Sequence, residues 1–152
     1  MYKSLTVYRQ VSTNYELIEW LHVCRTDRYL AVYIMLKLLS GISCLGVHKQ
    51  HTPEGKVCRL CPSGQVEDLF HFTMVCNHFA NIRNTMLMKI ENTISAETKQ
   101  ILNDLTREIY FLILCGMNNP IPSCDLYSIR KIAVKCFQRM YKIRKDLEDN
   151  ND

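Results

Sequence analysis

The stretch VCRLCPSGQVEDLFHFTMVC, residues 57–76, holds three of the chain's eight cysteines and one of its five histidines. Its spacing is Cys58-x2-Cys61-x9-His71-x4-Cys76. A Cys-x2-Cys pair lets two thiolates converge on one cation from a tight knuckle, and Gly64 suits the turn that leaves it. Val66, Glu67 and Asp68 then open a short helix carrying His71, with both carboxylates placed favourably at its positive N-terminal end. On an ideal helix Cys76 lies about 140° round from His71. The two therefore meet at one ion only where the last turn loosens, and Asn77 is a suitable place for that. Three sulfurs and one imidazole make a closed tetrahedral set, which favours one structural Zn²⁺ and leaves no position for a catalytic water. His78 is the substitute ligand for Cys76. Phe70 and Phe72 flank His71 and can cover the apolar side of the site, with Leu69 or Val75 anchoring it to the body.

Other readings of these cysteines stay open. They can be small core hydrophobes beside a chance histidine. A redox Cys-x-x-Cys is disfavoured, because that chemistry wants the first cysteine exposed at a helix start, and Cys61 is followed by Pro62, Ser63 and Gly64. Disulfides need an oxidising compartment, and MYKSLTVYRQVSTNYE at the N-terminus has no apolar export core. The expectation is an intracellular protein of nucleus or cytoplasm, not a secreted one. No membrane span is expected, since the nearest apolar run, YLAVYIMLKLLSGI (29–42), is short and broken by Lys37.

Outward from this stretch the pattern is helical. The composition, 47% hydrophobic and 22% charged over 152 residues, suits one globular domain spanning 1–152. Leu17, Ile18, Leu21 and Cys24 recur at steps of three and four, as a buried stripe requires. RTDR (25–28) separates them from the apolar run 29–42, after which Gly41 and Gly46 loosen the chain and VHKQHTPEGKV (47–57) reads as loop. Phe79, Ile82, Met86 and Ile90 mark a further helix. Ser95 can cap another with Ile101, Leu102 and Leu105, which Asp104 or Thr106 restarts and Gly116 ends. NNPIPS (118–123) is a linker. The last helix, about 124–147, is capped by Ser123 or Asp125 and aligns Leu126, Ile129, Ala133, Phe137, Met140, Ile143 (or Arg144) and Leu147. The reading is an all-α, multi-helix domain with a small zinc module at about 57–79 and at most one short β-hairpin around Cys58 and Cys61. Cys24, Cys44, Cys115, Cys124 and Cys136 read as small hydrophobes. His22 and His48 have no partner at ligand spacing, and Trp20, Tyr29 and Tyr33 suit core packing better than base stacking.

The order of residues in RLCPSGQVEDLFHFTMVCNHFANIR (59–83) resembles the zinc-binding segment near the C-terminus of reverse transcriptases from non-LTR (LINE-type) retrotransposons. In that family a basic residue and Cys-x-x-Cys lead into an acidic pair, then His-Phe, then Cys, an aromatic residue and Ile/Leu-Arg. Here those positions are Arg59, Cys58 and Cys61, Glu67-Asp68, His71-Phe72, Cys76, Phe79 and Ile82-Arg83. YKSLTVYRQVSTNYELIEWL is similar to the helical lead-in, and AVKCFQRMYKIRKDL to the basic closing helix. Two features depart from the family: Asn77 stands where proline is common, and LGVHKQHTPEGKV lacks a clear Glu-x-Gly-Arg-like element. The resemblance implies one structural Zn²⁺ on Cys58, Cys61, His71 and Cys76, and RNA or DNA as partner. It also implies an isolated, non-catalytic piece. An aromatic-x-Asp-Asp element for two-metal nucleotidyl transfer is missing, and the length leaves no room for palm, fingers and endonuclease. Neither polymerase activity nor a small-molecule substrate is expected.

Between Asp125 and Asp146 the last helix carries Arg130, Lys131, Lys135, Arg139, Lys142, Arg144 and Lys145 and no acid. Helix geometry gathers Lys131, Lys135, Lys142 and Lys145 on the outer face, with Arg130 further round. Such a stripe is either a solvated face whose cations suit the helix dipole or a site that neutralises phosphates without reading sequence. The net charge of +4 does not decide between them. With the resemblance, the expected nucleic-acid contacts are Arg59, Arg83, Lys131, Lys135, Arg139, Lys142 and Lys145. The competing expectations are a zinc-stabilised scaffold or protein-interaction domain, and a transposon relic without function.

Overall fold

A computed structural model describes residues 29–41, 43–49, 52–117 and 120–150. The expected stripe from Leu17 to Cys24, with Trp20 and His22, lies outside them, as does the side chain of Tyr29. The described chain is helical, as its periodicity requires. The helices are α1 (Tyr29–Ser40), α2 (Gly46–Lys49), α3 (Ala80–Thr93), α4 (Ala96–Asn103), α5 (Arg107–Leu114) and α6 (Ser123–Asp149). Among the described residues there is no strand. The hairpin expected around the first two cysteines is a single antiparallel bridge between Val57 and Val66.

The 27 residues of α6 make a rod about 40 Å long at 1.5 Å per residue. Its stripe of Leu126, Ile129, Ala133, Phe137 and Met140 is buried. Helices α1, α3 and α5 pack against it. They contribute Ile34, Met35, Leu38 and Leu39, then Met86 and Ile90, then Phe111, Ile113 and Leu114. Each such side chain adds about 1.5–3 kcal/mol by leaving water. This core fixes one long axis, and the cysteine-rich segment is built onto it.

Local signals set the boundaries. Ser95 Oγ accepts from Thr98 N (3.2 Å) to cap α4, and Thr106 Oγ1 accepts from Ile109 N (3.3 Å) to cap α5. Of the two expected restart residues, Thr106 does the capping. Gly116, at φ +114°, closes α5 in a conformation that side chains with a Cβ avoid. The segment expected to be loop from 47 to 57 is partly helical: α2 is followed by a tight turn at Glu54–Lys56. Gly46 does not loosen the chain. It lets α2 press on that turn, where a Cβ would meet the Lys56 carbonyl oxygen at 2.9 Å.

Helix α6 begins after Pro122 with no side-chain cap. Asp125, an expected cap, instead reaches across to α4. Its Oδ2 accepts from Ser95 N (3.1 Å), Ser95 Oγ (2.6 Å) and Thr98 Oγ1 (2.6 Å). The Ser95 hydroxyl foremost, and then that of Thr98, hold this carboxyl below its ordinary pKa. Asp125→Asn is therefore expected to lower unfolding free energy by about 1.5–3 kcal/mol at neutral pH, the usual value of bonds to a charged group. Because the folded pKa is depressed, that contribution is present above the unfolded value near ~3.9 and is lost as pH falls through the folded one. Denaturant unfolding of both proteins should give curves that converge below about pH 4.

Candidate metal centre

The bridge at Val57 and Val66 sets the knuckle, with Cys58 N donating to Gln65 O (2.8 Å) and Glu67 N to Lys56 O (2.7 Å). Gly64, at φ +68°, makes the turn within it. Asp68, one of the two carboxylates expected at this helix start, accepts there through Oδ1 from His71 N at 2.7 Å. The loosening needed between His71 and Cys76 comes earlier than Asn77. Residues His71–Val75 form a π-helical turn closed by Cys76 N donating to His71 O at 2.7 Å. A five-residue closure widens the turn and carries Cys76 back over His71, which an α-helical turn cannot do.

As a result the ligand atoms of Cys58, Cys61, His71 and Cys76 all lie within 4.8 Å of one another, and all four residues are buried. Cys58 Sγ and Cys76 Sγ are 3.9 Å apart, and Cys61 Sγ is 3.4 Å from His71 Nε2. A regular ZnS₃N tetrahedron with bonds near 2.3 and 2.0–2.1 Å has edges of about 3.8 Å for S–S and about 3.6 Å for S–N. The observed separations match that figure and are far beyond a disulfide bond of about 2.05 Å. His78, the expected substitute, is exposed and outside the cluster, its ring edge-on to Phe79.

The surroundings orient the ligands. Gln65 Oε1 lies 2.9 Å from His71 Nδ1, so Nδ1–H donates to it and the Nε2 lone pair faces Cys61. Ser63 Oγ lies 3.1 Å from Cys61 Sγ. Burial pushes the Cys61 thiol up, but bonds from Ser63, with those from Cys58 and His71, outweigh it and bring its pKa down to about 6. Burial raises Cys58 and pushes Cys76 up to about 12. A cation must displace protons from these two sulfurs, so affinity rises with pH. Phe72, buried beside His71, stacks edge-to-face on Phe79 at 5.0 Å, and Leu69 is buried in the core.

Glu67 does not serve the helix N-terminus. It points inward, 1% exposed, and its two oxygens accept from Arg144 Nε (2.7 Å) and Nη2 (3.0 Å) on α6. Oε2 also accepts from Gly46 N at 2.8 Å. One carboxylate thus joins the cysteine module to α2 and to the long helix. Gln65, Ser63 and this pair were not among the expected site residues.

The expected basic contacts divide. Arg59, Lys135, Arg139, Lys142 and Lys145 are exposed, and Lys131 is half-buried. Arg83 is not on that surface: it is 6% exposed and its Nη1 donates to the Cys76 carbonyl at 3.0 Å, which fixes the last ligand's backbone. Arg130 is likewise buried, donating to Gly116 O and Met117 O where α5 ends. Tyr33, expected in the core, is 45% exposed with the Lys37 ammonium 4.4 Å above its ring. Cys44 and Cys115 are core residues, whereas Cys124 is exposed. His48 has found a partner, with Ser43 Oγ 2.7 Å from its Nδ1.

These features define a helical protein with a buried Cys₃His cluster that can hold one metal ion. Comparison with protein-family models, curated proteins and solved structures gives no match. Among the described residues no helix is long and apolar enough to cross a membrane.

Proposed function

We propose that this chain is a non-catalytic, zinc-stabilised helical domain that binds the sugar–phosphate backbone of RNA or DNA inside the cell, in the manner of the retrotransposon reverse-transcriptase tail it resembles. The observation that carries the reading is the exposed cationic face of α6, a helix joined to the metal module on its buried side by the Arg144–Glu67 pair. Zinc is the ion of choice because three thiolates and an imidazole in a closed tetrahedron suit it, and the set leaves no position for a catalytic water. The role of the ion is therefore to staple the module, and the cations do the binding.

The test is quantitative. With five cations on the face (Lys131, Lys135, Arg139, Lys142 and Lys145), the logarithm of affinity should fall with that of salt with a slope of about −3.5 on single strands. Lys135→Glu combined with Lys142→Glu should reduce the slope by roughly 1.4 or more and weaken every sequence equally. A protein with no affinity at low salt is a scaffold. That second reading has its own support, since the polar groups around the cluster, Arg83 and Glu67 included, are spent on the domain's interior.

A further inference from the structure

The cationic face of α6 carries one large exposed aromatic side chain, Tyr127. Tyr127 is 42% exposed, while its neighbours Leu126 and Ile129 are buried. Residue 145 lies 18 positions on, five full turns, so Tyr127 and Lys145 share a line along the helix about 27 Å long. Lys131, Lys135 and Lys142 fall within an arc of about 80° beside that line. Tyr127 thus begins the same stripe that the lysines continue, and no acid interrupts it between Asp125 and Asp146. The Lys131 ammonium stands over the Tyr127 ring, 5.9 Å from its centroid. A nucleobase that displaced it from the ring face would have a cation within reach of its own phosphate.

We infer that this face is a single-strand site, with Tyr127 stacking one unpaired base and Lys131, Lys135, Lys142 and Lys145 following the phosphates. The inference rests on the nucleic-acid reading above and adds the class of ligand. Duplexes keep their bases stacked on one another and offer a lone tyrosine nothing to stack on, whereas every unpaired base has a π-face. Aromatic and basic residues in one line are the combination that single-strand grooves use.

The experiment uses the full zinc-loaded chain and three labelled ligands of about twelve units, a length within common single-strand site sizes. They are a mixed-sequence single strand, the same strand with abasic sugars throughout, and the corresponding duplex. Wild-type protein should prefer the base-bearing strand to the abasic one. Tyr127→Ala should weaken binding to the former roughly 5- to 100-fold, with little change on the abasic strand or the duplex. Tyr127→Phe should restore the preference. The salt slope should not move, because no cation is lost. Equal affinity of wild type for base-bearing and abasic strands overturns the stacking inference and leaves the cationic face standing. So does an equal loss on all three ligands with Tyr127→Ala. No binding of any ligand at low salt overturns both readings together.

Discussion

Removal of the metal is expected to unfold the segment from Val57 to Phe79. One zinc per chain should be found in protein purified without chelator, and Cys76→Ser or His71→Ala should abolish it. The expected effect is large because binding of a structural zinc is worth about 10–16 kcal/mol near neutral pH in small modules, as much as the whole stability of a typical domain. The segment is docked by Glu67 and by its buried apolar side chains, but little regular structure shapes the ligand loop itself. Between Val57 and Val66 there is a single bridge, and the turn over His71–Val75 is one π-helical turn, which is not stable by itself. Without the cation, three sulfurs and an imidazole would stay buried with only weak thiol contacts and the Ser63 and Gln65 bonds between them. Chelator should therefore remove hydrogen-exchange protection from 57–79 first, with the α1–α3–α6 core holding longer. A melting temperature and exchange pattern indifferent to chelator would show that the cluster is packing and not a metal site. Protons on Cys58 and Cys76 compete with the ion, so the chelator concentration needed should fall as pH falls.

The parts of this architecture that depend on local chemistry were legible in the chain. Ser95, Thr106 and Gly116 act through groups one turn away, and the cysteine and histidine spacing needs only one knuckle and one turn to converge. The position of the widened turn was not legible, because the break was expected at Asn77 and the chain places it on the residues before Cys76. Glu67 beside Asp68 looks like helix-start charge. Its real partner is 77 residues away, and no spacing rule reaches that far. The buried arginines are a different matter, since a signal was present. Arg83 follows Phe79 by four residues and precedes Met86 by three, so it lies on the buried stripe of its own helix. Arg144 follows Met140 by four, and Arg130 follows Leu126 by four. Arg83 reads as a surface cation and Arg130 is left aside because of its charge, although helical phase already places both inside; Arg144, the alternative to Ile143 on the buried stripe, is the one that the structure buries. Gln65 gave no signal at all: its role depends on where the His71 ring comes to rest.

Glu67→Ala is the second change expected to be severe, and it separates docking of the module from coordination within it. The substitution removes both partners of the Arg144 guanidinium and the acceptor for Gly46 N. Arg144 is only 9% exposed, so its charge stays buried without its hydrogen-bonded partner, with the more distant attraction of Glu148 remaining. Breaking a buried pair in this way costs about 3–5 kcal/mol, which for a domain of this size lowers the melting temperature by roughly 6–20 °C. Zinc stoichiometry should be unchanged, since none of the four ligands is altered. The loss should appear as a module that binds metal but no longer holds α2 and α6 together. Replacing both partners, with Glu67→Leu and Arg144→Met, should recover much of the loss, because an apolar pair of similar size leaves no buried charge. A coupling energy near zero in that double-mutant cycle would mean the two side chains do not act together, and the module would have to be held by Leu69, Phe72 and Phe79 alone. A large coupling would make the Glu67–Arg144 pair the strut through which a metal ion at Cys58, Cys61, His71 and Cys76 stiffens the long basic helix.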